Sequence, residues 1–236
     1  MGSIMCVWSV AANKVTCRVR IQVIVVVFTL LAVGVLSGCF RYDDELMGTV
    51  LNSYDPAPAF DLQDQFGRTV SLADQRNKVV VLTFLYTYCP DICPIVASHI
   101  KETYRVLGGD VDQVVFVVIS IDPVRDTVER VLAYSEQWDM VDRWSFLVGS
   151  EDELAALWKA YYIDPVSELL DSDTEDDDTH LRNDGEGSVD ALREQLYTIS
   201  HSAPVYLIDR DGLLRVLFTP PLDSDIIAHD VRLLID

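Results

Sequence analysis

The chain has 236 residues, half of them apolar, with 38 acidic against 18 basic side chains and a formal charge of −20. That apolar content supplies the core of one domain and excludes an intrinsically disordered protein. A charge this negative excludes binding of nucleic acid through its phosphates, and it reads first as a solvated acidic surface, since net charge speaks to solubility before recognition.

The first 38 residues read as an export signal. Lys14, Arg18 and Arg20 form a basic region, Ile21 to Leu36 is almost wholly apolar, and Ser37-Gly38-Cys39 follows. At 16 residues the apolar run falls short of the about 20 that a spanning helix needs. Leu36-Ser37-Gly38-Cys39 resembles the lipobox of bacterial lipoproteins, and that resemblance makes Cys39 the lipidated first residue of a membrane-anchored mature chain. An uncleaved signal anchor is the alternative. Either one places the domain outside the cytoplasm, on a membrane. The part from residue 39 onward carries 15 basic residues against 38 acidic, a formal charge of −23.

Residues 39–55 are polar and irregular, as expected of a tether. The folded domain is expected over 56–236. It opens with two short extended pieces, Pro56 to Leu62 and Thr69 to Leu72, joined about Gly67 and read as an N-terminal hairpin. Val79 to Tyr86 is a continuous apolar run, the signature of a strand buried on both faces. It leads into Thr87-Tyr88-Cys89-Pro90-Asp91-Ile92-Cys93-Pro94. Two cysteines four apart share one face if a helix begins at the first. A cysteine at a helix N-terminus feels the positive end of the macrodipole, which favours the thiolate that binds metals and attacks disulfides. Proline is tolerated there because the first-turn N–H groups have no intrahelical partner.

Of the five cysteines, Cys6 and Cys17 fall in the signal and Cys39 at the anchor, so Cys89 and Cys93 form the one candidate pair of the body. Inert burial and a plain structural disulfide are the blander readings. The strand-to-helix position argues against the first, and the small loop such a bridge would close argues against the second. In an oxidising compartment a dithiol closes to a disulfide unless a reductant or a metal holds it open. A functional pair therefore implies redox partners.

Helical spacing continues through Ile95, Val96, Ile100, Tyr104 and Leu107 until Gly108-Gly109. Val114 to Ile121 reads as a second buried strand, and Asp126-Thr127 as the cap of a helix through Trp138. These strands and the helix between them make a parallel βαβ unit. A short strand at Trp144 to Val148 and a helix at Glu151 to Tyr162 follow. Residues 164–194 hold twelve acidic residues against Arg182 and Arg193, a solvated insertion with little apolar surface to bury. A calcium loop is the sharper alternative, but the EF-hand spacing is missing. Pro204 to Asp209 and Leu213 to Phe218 form a hairpin about the tight turn Arg210-Asp211-Gly212, and a last helix runs from Asp223. The order gives an α/β, thioredoxin-like fold: a central mixed sheet flanked by helices.

Three spaced motifs resemble those of the Sco (SenC/PrrC) family of copper proteins. They are Cys89-Pro90-Asp91-Ile92-Cys93-Pro94, Ser120 to Thr127, and Ser200-His201-Ser202 ahead of Tyr206-Leu207-Ile208-Asp209. The resemblance implies that Cys89, Cys93 and His201 bind copper, Cu(I) or Cu(II), for delivery to the CuA centre of cytochrome c oxidase subunit II. Other copper chaperones or thiol reductants are the implied further partners. The chemistry agrees independently, since soft thiolates select Cu(I) and imidazole suits both states. Zinc is disfavoured by the lack of a fourth protein ligand. His99 is expected on the surface, turned from the thiols, and His180 and His229 are expected in solvent.

Two departures from relatives stand out: Tyr88 beside the first cysteine, and Pro204 just before a strand, where thioredoxins carry a cis-proline facing their dithiol. A cis bond there would favour disulfide chemistry. The competing reading is accordingly a tethered thiol-disulfide oxidoreductase with Cys89 as nucleophile and Cys93 resolving. A peroxiredoxin-type peroxidase is a third, but Thr87 lies only two residues before Cys89, not three.

Overall fold

The apolar run 79–86 does lie at the centre of the sheet. Strand β4 (Val79–Leu85) is buried at every residue, as a strand with neighbours on both edges and helices against the sheet must be. The computed structural model describes residues 45–51, 55–169 and 197–235. The export signal, Cys39, His180, most of the tether and the body of the acidic insertion lie outside them.

After β1 (Thr49–Val50), the hairpin of β2 (Asp61–Gln63) and β3 (Thr69–Ser71) precedes β4. Helix α1 (Ile92–Leu107) connects β4 to β5 (Val114–Ser120), and α2 (Val128–Gln137) connects β5 to β6 (Ser145–Leu147). Then come α3 (Glu151–Ala160), β7 (Val166–Leu169), β8 (Tyr197–Ser200), β9 (Val205–Ile208), β10 (Leu214–Phe218) and α4 (Ser224–Ile235). The six-stranded sheet has the order β1-β10-β9-β4-β5-β6. Strands β4, β5 and β6 are parallel, whereas β9, β10 and β1 pair antiparallel. The mixed sheet is thus as expected.

Register matters most between β4 and β5, where Leu85 is level with Ser120. The loops that follow, 86–91 and 121–127, therefore leave the same end of the sheet side by side. Open α/β sheets bind ligands at these carboxyl ends.

Several expectations need correction. The tether is docked at its inner end: β1 pairs with β10, and the buried Asp230 carboxylate accepts the Met47 and Gly48 N–H groups at 2.8–3.1 Å. The first residues of the insertion region form β7, which pairs antiparallel with β8 outside the main sheet. Thr127 alone caps α2, its hydroxyl accepting the Arg130 N–H, while Asp126 turns inward and is buried. His99 is half-buried, its Nδ1 3.0 Å from Ser224 Oγ, because α4 packs along α1 and covers that face. His229 is mostly covered as well, 3.0 Å from the Asp230 carboxylate that clasps the tether. Pro204 follows a trans bond; the one cis peptide among the described residues is Pro220–Pro221.

Candidate metal-binding dithiol and histidine

Helix α1 begins at Ile92, three residues later than Cys89. Cys89 therefore lies in the turn ahead of the helix and Cys93 in its first turn. Asp91 stands at the N-cap position but makes no side-chain cap bond. The cap is supplied by sulfur, since Cys89 Sγ accepts the Cys93 N–H at 3.4 Å. Pro94, third in the helix, gives up an N–H that had no intrahelical partner.

The two thiols are electrostatically unlike. Cys89 is half-exposed, and its thiol is pushed down, first by the hydrogen bond from the Cys93 thiol and then by His201. Cys93 is fully buried, and burial pushes its thiol up. The pair is thus unequal, the accessible thiol the more acidic and the buried one the less.

His201 approaches from the loop after β8. Its Nε2 lies 3.7 Å from Cys93 Sγ, and its Nδ1 lies 2.6 Å from the Ser202 carbonyl. A carbonyl can only accept, so Nδ1 carries a proton and Nε2 is the nitrogen turned to the sulfur. An imidazole with its second nitrogen bonded to the backbone is the usual state of a metal-ligating histidine. The ring also packs edge-on against Tyr86, with centroids 5.9 Å apart. The donors meet in pairs, Cys89 with Cys93 and Cys93 with His201. Among the described residues no group of three His, Cys, Asp or Glu side chains is close enough together to hold a metal ion.

What holds these pieces together comes largely from the segment Ser120 to Thr127. The Asp126 carboxylate accepts from the Thr87 N–H and hydroxyl at 3.1 and 2.7 Å and from the Ser120 hydroxyl at 2.6 Å. This fixes the start of the cysteine loop against β5. Burial pushes the Asp126 carboxyl up to about 6. Asp122, also buried, accepts from Arg125 Nε and from the Tyr197 hydroxyl. The Tyr86 hydroxyl accepts the Ile199 N–H at 3.0 Å and donates to the Ile199 carbonyl at 3.3 Å, pinning β8 to the end of β4. Tyr88 is 49% exposed and stacks beneath Arg125 and Arg130, whose guanidinium carbons lie 5.0 and 4.4 Å from its ring centre.

Sequence reasoning singled out Cys89, Cys93 and His201, and the structure brings all three to one end of the sheet. It missed the supporting set of Tyr86, Thr87, Asp122, Arg125, Asp126 and Tyr197. The available signal was the polar Ser120–Thr127 run directly after a buried strand. Asp126 was assigned to a helix cap and Asp122 to no role at all. The proposed anchor, Cys39, lies outside the described residues.

A profile of the SCO1/SenC family matches residues 51–236. The bovine mitochondrial protein SCO2 homolog is 29% identical over 175 residues, covering 73% of this chain but 57% of that protein. The copper-bound structure of Bradyrhizobium japonicum ScoI is 28% identical with a TM-score of 0.59, covering 76% of this chain and 99% of that one. The apo Sco1 of Thermus thermophilus, at 24% identity, 81% and 98% coverage and a TM-score of 0.60, shares the fold.

Proposed function

The chain belongs to the SCO1/SenC family, and on that premise we propose that it is a membrane-anchored, extracytoplasmic copper carrier for the assembly of cytochrome c oxidase. Copper is its cargo, held by Cys89, Cys93 and His201 and passed to the CuA site of subunit II. The observation that carries this reading is the approach of three donors at one end of the sheet, Cys89 beside Cys93 and Cys93 Sγ 3.7 Å from His201 Nε2, with Nδ1 of that ring held by the Ser202 carbonyl. Two sulfurs and one imidazole suit Cu(I), and three donors leave a side open through which a partner's ligands can take the metal. The copper-bound Bradyrhizobium relative lends support. Anchoring through Cys39 rests on the lipobox resemblance alone.

A second reading has its own observation. The unequal thiols, Cys89 accessible and acidified, Cys93 buried and raised, are what thiol-disulfide exchange requires. Cys89 would attack a partner disulfide to form a mixed disulfide, and Cys93 would release it, leaving Cys89–Cys93 oxidised and the partner reduced.

Anaerobic Cu(I) titration of the reduced protein against a chromophoric chelator separates the two. One-to-one binding is expected, collapsing in Cys89→Ser and weakening by about tenfold or more in His201→Ala, as loss of a ligand would cause. Weak binding indifferent to His201, with rapid disulfide exchange, would make the protein a reductase.

A further inference from the structure

His201 directly follows a strand that the main sheet does not hold. β8 pairs only with β7, and the two form a separate ribbon. Something else must fix the imidazole relative to the sulfurs, and the contacts converge on Arg125. Its side chain is only 8% exposed. Nε donates to the buried Asp122 carboxylate, and Nη1 donates to the Tyr197 carbonyl at 2.8 Å. The guanidinium carbon lies 3.6 Å from the centre of the Tyr197 ring and 5.0 Å from that of Tyr88. Nη2 is buried with no hydrogen-bond partner, leaving it to the aromatic faces around it. One planar cation thus touches both halves of the site: Tyr88, the residue before Cys89, and Tyr197, four residues before His201. Asp122 closes the unit from the other side by accepting the Tyr197 hydroxyl.

We propose that Arg125 is the positioning residue of the site, a wedge that sets where His201 meets the two sulfurs. It donates no electron pair to a metal and acts through the aromatic rings around it, Tyr197, Tyr88 and Tyr86, the last 5.7 Å from its guanidinium carbon and packed against the His201 ring. Lysine could supply the charge but not the fork that bonds a carboxylate and a carbonyl together. The inference deepens the copper reading and its metal-binding arm rests on it, so the test carries a second arm without metal.

In the first arm, Cu(I) affinity is measured for the wild type, His201→Ala, Arg125→Gln and the double variant. Arg125→Gln is expected to lose most of the affinity that His201→Ala loses, and the double variant to be no weaker than His201→Ala alone, because residues acting through one contact are not additive. Additive losses, or an unchanged Arg125→Gln, overturn the proposal. In the second arm, nitrogen-15 NMR of the metal-free reduced protein reads the His201 ring. The wild type should show a single Nδ1-protonated tautomer, and Arg125→Gln an averaged, solvent-exchanging ring. A ring signal unchanged in Arg125→Gln overturns the positioning role whatever copper does. If the wild type bound no copper while this signal still collapsed, the copper reading would fail and the positioning role would stand. Should Arg125→Gln not fold, because Asp122 is left charged and buried, Asp122→Asn/Arg125→Gln removes both charges and is read by the same criteria.

Discussion

Asp126 joins the cysteine loop to β5 with three accepted hydrogen bonds, yet its burial makes the charged form costly. Desolvation raises its carboxyl from 3.8 to about 6, outweighing the Ser120 and Thr87 bonds that pull it down. The sign follows from linkage. A carboxyl whose folded pKa is raised holds its proton in the folded protein where the unfolded chain has lost it, so its stabilisation is complete below about 4 and lost as pH rises through about 6. Against Asp126→Asn, which cannot ionise, the wild type should lose about 1.4 kcal/mol per pH unit over that window, reaching about 3 kcal/mol. Urea unfolding of both proteins at pH 4.5 and 7 checks this. Parallel pH dependences would mean that Asp126 ionises normally. Asparagine keeps an oxygen for Thr87, and its amide can donate to the Ser120 hydroxyl, so the loop should stay in place. The carboxylate's inward turn was not legible in the sequence. Asp126-Thr127 before an apolar helix is a standard cap pattern, and only the level ends of β4 and β5 bring Thr87 close enough to claim the acid instead.

Among the elements, those written as long periodic runs were legible and those made by distant partners were not. Val79–Leu85, the α1 stripe and Val114–Ser120 carry their own signal in burial pattern and spacing. β1 is two residues in a polar stretch, and it exists because β10 offers an edge and Asp230 a buried carboxylate 182 to 183 residues beyond the amides it accepts. Gly48 belongs to the same clasp, since a Cβ there would lie 2.4 Å from Val216 Cγ1. β7 was hidden likewise, because a strand whose partner lies beyond an acidic segment shows no local alternation. Of the site, the two cysteines were legible from spacing, whereas His201 needed the family resemblance. A lone histidine before a strand carries no local mark. Removing the clasp tests its worth. Asp230→Ala should cost about 1–3 kcal/mol, the value of charged hydrogen bonds to a carboxylate, and should release the amides of Met47 to Val50 to fast hydrogen exchange. If those amides stay protected, β10 holds β1 without the acid.

At the scale of the molecule, the site is a joint between two bodies of unequal support. Cys89 and Cys93 lie in the turn and the first helical turn that follow β4 of the six-stranded sheet, while His201 follows a ribbon whose two strands are joined through 27 residues, 170–196. The ribbon has its own register, Val166 with Ser200 to Leu169 with Tyr197, and Tyr86 and Arg125 hold its β8 side. Shortening that connection should therefore leave the site intact. Deleting Asp171 to Asp178 reduces it to 19 residues and removes six acidic side chains, bringing the formal charge from −20 to −14. Loop-closure entropy then favours the fold by only about 0.3 kcal/mol, and relief of charge repulsion acts in the same direction, more weakly as salt rises. The expected outcome is a midpoint of thermal unfolding equal to or slightly above that of the full chain, with unchanged Cu(I) affinity. A large loss of stability would show that the acidic segment packs on the core. A selective loss of copper affinity with stability intact would show instead that its carboxylates act on the cargo.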